Sequence, residues 1–172
     1  MELKNIAILG ARGNVGTSII TALLASPTPY TILALSRSTT SIPYIPPHSS
    51  ITPKSIDYTS FDALKDAFTG QDMVINCVTG CATQYEPSKL IIDAAIAANV
   101  PFYFSNEFVG NIFSEQFGRL PEVAAGAKLR IRRYLEGVGE EGKISWMALN
   151  GGPFFEMCEF YEGRERRSTD EM

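Results

Sequence analysis

Three glycines stand at every third position in Ile8-Leu-Gly10-Ala-Arg-Gly13-Asn-Val-Gly16. An apolar run precedes them, and a stretch with helical spacing of apolar residues follows. A chain that turns sharply from strand into helix needs a positive φ or no Cβ, and glycine supplies both. Such a turn aims free backbone N–H groups and the positive end of a helix dipole at one point, which suits a pyrophosphate. Gly10, Arg12, Gly13, Asn14, Val15 and Gly16 are therefore the first candidate binding residues, with Gly16 letting the helix pack close on the sheet. The turn lacks the Gly-Lys-Ser/Thr ending of a P-loop, so a dinucleotide is expected. The competing reading is a tight turn without a ligand. Its position at the first strand-to-helix junction favours the dinucleotide.

The end of the second strand distinguishes the two pyridine coenzymes. NAD-binding folds place an acid there, about 20 residues past the turn, to hold the ribose 2′-hydroxyl. This chain has Ser36-Arg37 in that place and no acid. A guanidinium can grip a 2′-phosphate with two parallel hydrogen bonds, and Arg12 lies within reach of the same group. NADP(H) is therefore expected over NAD(H); the alternative is a pair of ordinary surface arginines. Ligands of parallel sheets bind beyond the carboxyl ends of the strands. That rule nominates Asp57 and Tyr58 beside the adenine, and Val78, Thr79 and Gly80 along the ribose and pyrophosphate. It places Ser105, Asn106 and Glu107 beside the nicotinamide.

The elements that must position these residues follow from periodicity. Apolar runs at 5–10, 31–36, 72–78, 100–104 and 144–149 read as buried strands, with a weaker strand leading to Ile56 and Asp57. Apolar residues at Val15, Ile19, Ile20, Leu23 and Leu24 have helical spacing and predict a helix over 15–25. Further helices are expected at 61–68, with Ser60 as N-cap and Gly70 as its end; at 87–99, with Pro87 in the first turn; and at 123–136. The stretch 38–53, rich in Ser, Thr and Pro, reads as loop. Strands alternating with helices predict an α/β fold, a Rossmann-like doubly wound parallel sheet with helices on both faces.

Composition narrows the classes of function. The 172 residues carry 15 basic and 19 acidic side chains and a formal charge of −4, which argues against nucleic acid as a partner. No apolar run approaches the roughly 18 residues that span a bilayer, and no secretory leader is evident at the N-terminus. Three cysteines and one histidine offer neither a zinc set nor a disulfide framework, so no metal is expected. A reducing, cytoplasmic setting is expected.

The sequence resembles the NmrA-like and isoflavone-reductase-like branch of the atypical short-chain dehydrogenases. The resemblance rests on the glycine turn, on Ser36-Arg37, and on Ile56-Asp-Tyr-Thr-Ser-Phe61. It continues through Val100-Pro-Phe-Tyr-Phe-Ser-Asn-Glu-Phe108, Lys128-Leu-Arg-Ile-Arg-Arg-Tyr-Leu-Glu136 and Asn150-Gly-Gly-Pro-Phe-Phe155. It covers about residues 3–156, expected to be one coenzyme-binding domain, with 157–172 a polar, disordered tail. Members are NADPH-dependent reductases of small, often aromatic carbonyl or enone compounds, or nucleotide-binding regulators that do no chemistry. The reductases carry a lysine on the helix after the fifth strand, and Lys128 matches that place. An ammonium there can stabilise or protonate a substrate that has accepted hydride.

The resemblance also implies two departures. Members have Pro-Ser-Glu-Phe-Gly where this chain has Phe104-Ser-Asn-Glu-Phe-Val109. They also continue past the point where this chain stops, so the resemblance implies a chain truncated at its C-terminus and lacking most of the substrate-binding part. The expected partners are a small-molecule substrate and either a partner protein or a second copy of the chain, with no membrane. A Tyr-x-x-x-Lys pair, Tyr85 and Lys89, also occurs. Pro87 between them is expected to keep them off one helical face, and the match is read as coincidence.

Overall fold

The computed structural model describes residues 3–37, 48–78, 84–120 and 127–151. Among these residues six strands build one sheet: β1 (Asn5–Leu9), β2 (Thr31–Ser36), β3 (Ile51–Ser55), β4 (Met73–Asn76), β5 (Phe102–Ser105) and β6 (Ser145–Ala148). Their spatial order is β3-β2-β1-β4-β5-β6, and every neighbouring pair is parallel. The helices are α1 (Asn14–Leu24), α2 (Phe61–Phe68), α3 (Tyr85–Ala97), α4 (Glu115–Gly118) and α5 (Ala127–Glu140). The chain winds outward from β1 to β3, then crosses back to β4 on the other side of β1. This is the doubly wound Rossmann-like sheet that the alternation of elements predicts.

Side chains alternate between the faces of a strand, and the sheet accordingly has two cores. Ala7, Leu9, Leu35, Val74 and Tyr103 pack against Leu64 and Phe68 of α2, Ile91 and Ile92 of α3, and Ile131 and Leu135 of α5. On the opposite face Ile6, Ile8, Ile32 and Ile75 pack with Ile20 of α1. β1 lies between neighbours on both sides and between helices on both faces, which is why its sequence is a continuous apolar run rather than an alternating one.

Boundaries differ from the sequence reading in four places. The loop expected over 38–53 gives way to β3 at Ile51. Pro53 lies inside this strand, opposite Ala34. β3 is the sheet edge, where a residue without an N–H loses no ladder bond. Helix α3 begins at Tyr85, so Pro87 sits in its first turn, where no intrahelical N–H is required. Helix α5 runs on to Glu140 through Gly137 and Gly139. A Cβ at Gly139 would stand 2.8 Å from the Trp146 ring nitrogen, so that glycine serves packing rather than termination. The expected start of this helix, 123–126, lies outside the described residues, as does the tail at 157–172. The short α4 has no apolar period to announce it; the Ser114 hydroxyl caps it by accepting the Phe117 N–H at 3.2 Å.

Tyr85 and Lys89 correct a further expectation. Because Pro87 lies within the first turn and does not break it, the two side chains share a face. Both meet Tyr134 of α5: the Tyr85 ring edge-on at 6.5 Å between centroids, the Lys89 ammonium 4.7 Å from the ring centre. Lys89 pairs with Asp93 at 2.5 Å, and Asp93 also accepts the Tyr134 hydroxyl. The cluster ties α3 to α5 and lies away from the cleft described below.

Asp72 fastens the start of β1. Its Oδ2 accepts the backbone N–H of Lys4 at 2.9 Å and of Asn5 at 2.7 Å. These donors hold its carboxyl below the usual carboxylate range. A depressed folded-state pKa contributes stability above the unfolded value near 4, and that stability is lost as pH falls through the folded value. Asp72→Ala should lower stability at pH 7 by about 1 kcal/mol, a melting shift of about 2–4 °C. The difference from the parent chain should shrink as melts are taken progressively below the ordinary aspartate range.

Candidate functional site

The strand order reverses between β1 and β4, and a crevice opens there beyond the carboxyl ends of the strands. Gly10 leaves β1 with φ +72°. A Cβ on it would lie 2.6 Å from the Cys77 carbonyl oxygen, so only glycine lets the turn pass the end of β4. A Cβ on Gly16 would lie 2.4 Å from the Gly10 oxygen, so Gly16 lets α1 fold back against the turn. Gly13 is different. It has extended backbone, and a Cβ there would meet only the Gly10 oxygen, at an ordinary 3.5 Å. Nothing in the protein's own packing demands glycine at 13, yet the residue lines the cleft. It is the N-cap of α1 and offers no side chain to the first turn. Helix N–H groups there have no intrahelical partner and point toward the opening.

The cleft has a volume of about 270 Å³ and is walled by Gly10, Arg12, Gly13, Leu35, Ser36, Arg37, Tyr58, Cys77 and Val78. Among these residues two are cationic and none is anionic, which suits a polyanion. Arg37 is exposed at the end of β2, and Arg12 is half-buried in the turn. Tyr58 is buried, its hydroxyl donating to the Leu35 carbonyl at 2.8 Å and accepting the Gly10 N–H at 3.2 Å. Burial pushes the Cys77 thiol up to about 12, so this sulfur is an inert wall and not a nucleophile.

The other nominated residues divide into groups. Asn14 and Val15 sit in the first turn of α1 and are not among the residues that line the cleft. Asp57 is exposed and is not among the walls. Its carboxylate accepts the Thr59 N–H at 2.8 Å and hydroxyl at 2.7 Å, which hold its pKa down. Thr79 and Gly80 lie outside the described residues. Ser105 ends β5, and Asn106 and Glu107 follow it; together with Lys128 they form a second cluster beside the cleft. Asn106 joins the two, its amide donating to the Val78 carbonyl at 2.7 Å. The Val78 N–H is in turn held by Asn76 at 3.0 Å, and Asn76 donates to the Tyr103 hydroxyl at 3.1 Å.

Glu107 is the centre of the second cluster. Its carboxylate is buried and receives Arg132 Nε at 2.9 Å and Nη2 at 2.7 Å. Its backbone carbonyl accepts the Lys128 ammonium. Lys128 and Arg132 are one turn apart on α5, so one helix face grips both the side chain and the main chain of one residue. Burial pushes the Lys128 pKa down, and the Glu107 carboxylate acts in the opposite direction. Sequence reasoning treated Arg132 only as a basic neighbour. Its spacing from Lys128 was the available signal. The sequence reading also passes over Leu35 and Cys77, which wall the cleft, and Asn76, which holds Val78, since nothing local marks a residue at a strand's end for either task.

The turn, the fold and the cleft define a dinucleotide-binding protein. The family model described as NAD(P)H-binding matches residues 10–151, and the chain belongs to that family. No curated protein matches the sequence. Among solved structures, a putative epimerase from Bacteroides thetaiotaomicron is 21% identical, with a TM-score of 0.65; the match covers 87% of this chain and 71% of that one. An NADPH-dependent quinone oxidoreductase from Escherichia coli, complexed with NADPH, is 22% identical over 88% of this chain and 50% of its own, with a TM-score of 0.67. An isoflavone reductase gives 22% identity and the same TM-score, over 89% of this chain and 50% of its own. The chain thus spans half the length of the last two. Among the described residues no helix is long and apolar enough to cross a membrane, and no group of His, Cys, Asp and Glu could hold a metal ion.

The space around Gly13 gives a direct test of the cradle. Gly13→Ala should leave the melting temperature within about 2 °C, since the added methyl meets only ordinary contacts. Calorimetric titration should show coenzyme affinity falling about tenfold, because the methyl occupies the surface a diphosphate must approach.

Proposed function

We propose that the chain binds NADP(H) in this cleft and serves a reductase that delivers hydride to a small carbonyl or enone, aromatic compounds included. The observation that carries the coenzyme choice is Ser36-Arg37 at the end of β2, with Arg12 also lining the cleft and no carboxylate among the described residues that wall it. Arg37 would take the 2′-phosphate, the glycine turn the diphosphate, and Val78 the ribose edge. Bound NADPH would supply the hydride. Lys128 would then hold a proton at Nζ for the oxygen that gains charge, a task helped by the downward pull of burial on its pKa. The quinone oxidoreductase neighbour complexed with NADPH supports this reading by analogy of fold.

Arg37→Asp tests the coenzyme choice. Titration should show NADPH binding weakened by at least about tenfold, the worth of a charge-assisted hydrogen bond to phosphate, with NADH unchanged or improved. An unchanged preference would refute it.

A second reading is a coenzyme-sensing regulator that does no chemistry and acts through a protein partner. One observation favours it: the Lys128 ammonium is bonded to the Glu107 carbonyl and does not line the cleft. Turnover decides between the two. With NADPH and a panel of quinones and enones, the reductase reading expects oxidation of coenzyme that Lys128→Met reduces by about a hundredfold, the scale of a lost proton donor, while NADPH binding persists. NADPH binding with no turnover across the panel supports the regulator.

A further inference from the structure

We propose that Tyr58 is a positioning residue for coenzyme selection, its hydroxyl setting the spacing between the diphosphate cradle and the 2′-phosphate site. The inference rests on the NADP(H) reading above. The ladder between β1 and β2 ends at Leu9 and Leu35. Beyond that pair the strands part. Gly10 turns away toward α1, while Ser36 continues alongside β3, its carbonyl accepting the Ile56 N–H at 2.9 Å.

The residues that would hold the two phosphate groups therefore lie on the diverging segments that follow these strands, Gly13 in the turn after β1 and Arg37 just past β2. The Tyr58 hydroxyl spans the gap just where the ladder stops. It donates to the Leu35 carbonyl at 2.8 Å and accepts the Gly10 N–H at 3.2 Å. Its ring is anchored in the core with Leu64 and Phe68, so the bridge is held from below. The Gly10 N–H, pointing at the hydroxyl, is thereby taken out of the set of donors offered to a ligand. The diphosphate must then be met further along, at Gly13 and the first turn of α1. That places the cradle farther from β1 than a first-glycine donor would, and the Tyr58 bridge sets its offset from Arg37.

Tyr58→Phe keeps the ring and removes only the bridge. Calorimetric titrations of the parent chain and the variant with NADPH, NADH and 2′,5′-ADP supply the test. The NADPH-to-NADH affinity ratio should fall about fivefold in the variant, the equivalent of one ordinary hydrogen bond, with 2′,5′-ADP weakened in step. Equal weakening of both coenzymes, or none, overturns the proposal, because a merely structural role leaves the ratio unmoved. A parent chain that binds neither coenzyme overturns the NADP(H) reading itself, and this inference with it. A parent chain that prefers NADPH beside a variant with the same ratio overturns only the role of Tyr58. Hydrogen exchange at the Gly10 amide of the parent chain needs no variant to fold. Slow exchange, unchanged by NADPH, is expected. Fast exchange that NADPH suppresses would make the amide a ligand donor and overturn the proposal.

Discussion

The closeness of Gly10 to the Cys77 carbonyl governs this molecule. No side chain of any size fits between them, so the turn after β1 can be drawn tight across the end of β4. Gly16 repeats the device one layer out, against the oxygen of Gly10. Together they place the start of α1 at the crevice where the strand order reverses, with its N–H groups facing outward. Substituting either residue would force backbone atoms apart, and the cost would fall on the central pair of the sheet. Gly13 obeys a different constraint. The fold tolerates a methyl group there, so its glycine is explained by what must come close from outside.

A second constraint fixes the far side of the crevice. Val78, two residues beyond β4, has both of its polar backbone groups held, the N–H by Asn76 and the carbonyl by Asn106. Asn106 is followed by Glu107, and α5 holds Glu107 by carboxylate and carbonyl together. A buried ion pair contributes little net stability, yet removing one partner strands a charge and costs about 3–5 kcal/mol. The pair therefore serves to specify one arrangement of the loop after β5. Arg132 lies 4.8 Å from the Trp146 ring centre, so β6 also bears on the guanidinium. In this way α5 and β6 influence the cleft without touching it.

The fold was legible because each signal was local. The run through β1, the spacing of Ile19, Ile20, Leu23 and Leu24, and the Ser60 cap each act within a few residues, and the alternation of elements carries the topology. β3 was obscured by Pro53, which reads as a loop residue until the strand is known to be an edge. The end of α5 was obscured because Gly137 directly follows the expected end at Glu136, yet the helix runs on through it and through Gly139, whose missing Cβ makes room for Trp146. Tyr85 and Lys89 show the same limit. Whether Pro87 breaks a helix depends on whether it falls in the first turn, and that in turn depends on where the preceding loop ends. At the site, residue types pointed to the turn and to Arg37. The long-range bonds of Asn76 with Tyr103, Asn106 with Val78 and Tyr58 with Gly10 join positions 27, 28 and 48 residues apart, and no spacing in the chain announces them.

The two clusters divide the work by the kind of force each supplies. The cleft near β1 and β2 carries two arginines and the N-terminus of α1, groups that suit a ligand of opposite charge. The cluster after β5 is closed, with charges paired and buried, which suits holding one group still. Lys128 belongs to the closed cluster by its bond and is the cation there least committed to a carboxylate. Desolvation disfavours its charge while Glu107 supports it, and burial is the larger influence, so its pKa lies below the ordinary lysine value. Arg132 decides how far Glu107 can lean toward Lys128. As long as the guanidinium occupies both carboxylate oxygens, Lys128 is left with the weaker acceptor, a backbone carbonyl, and keeps the capacity to exchange it for another oxygen.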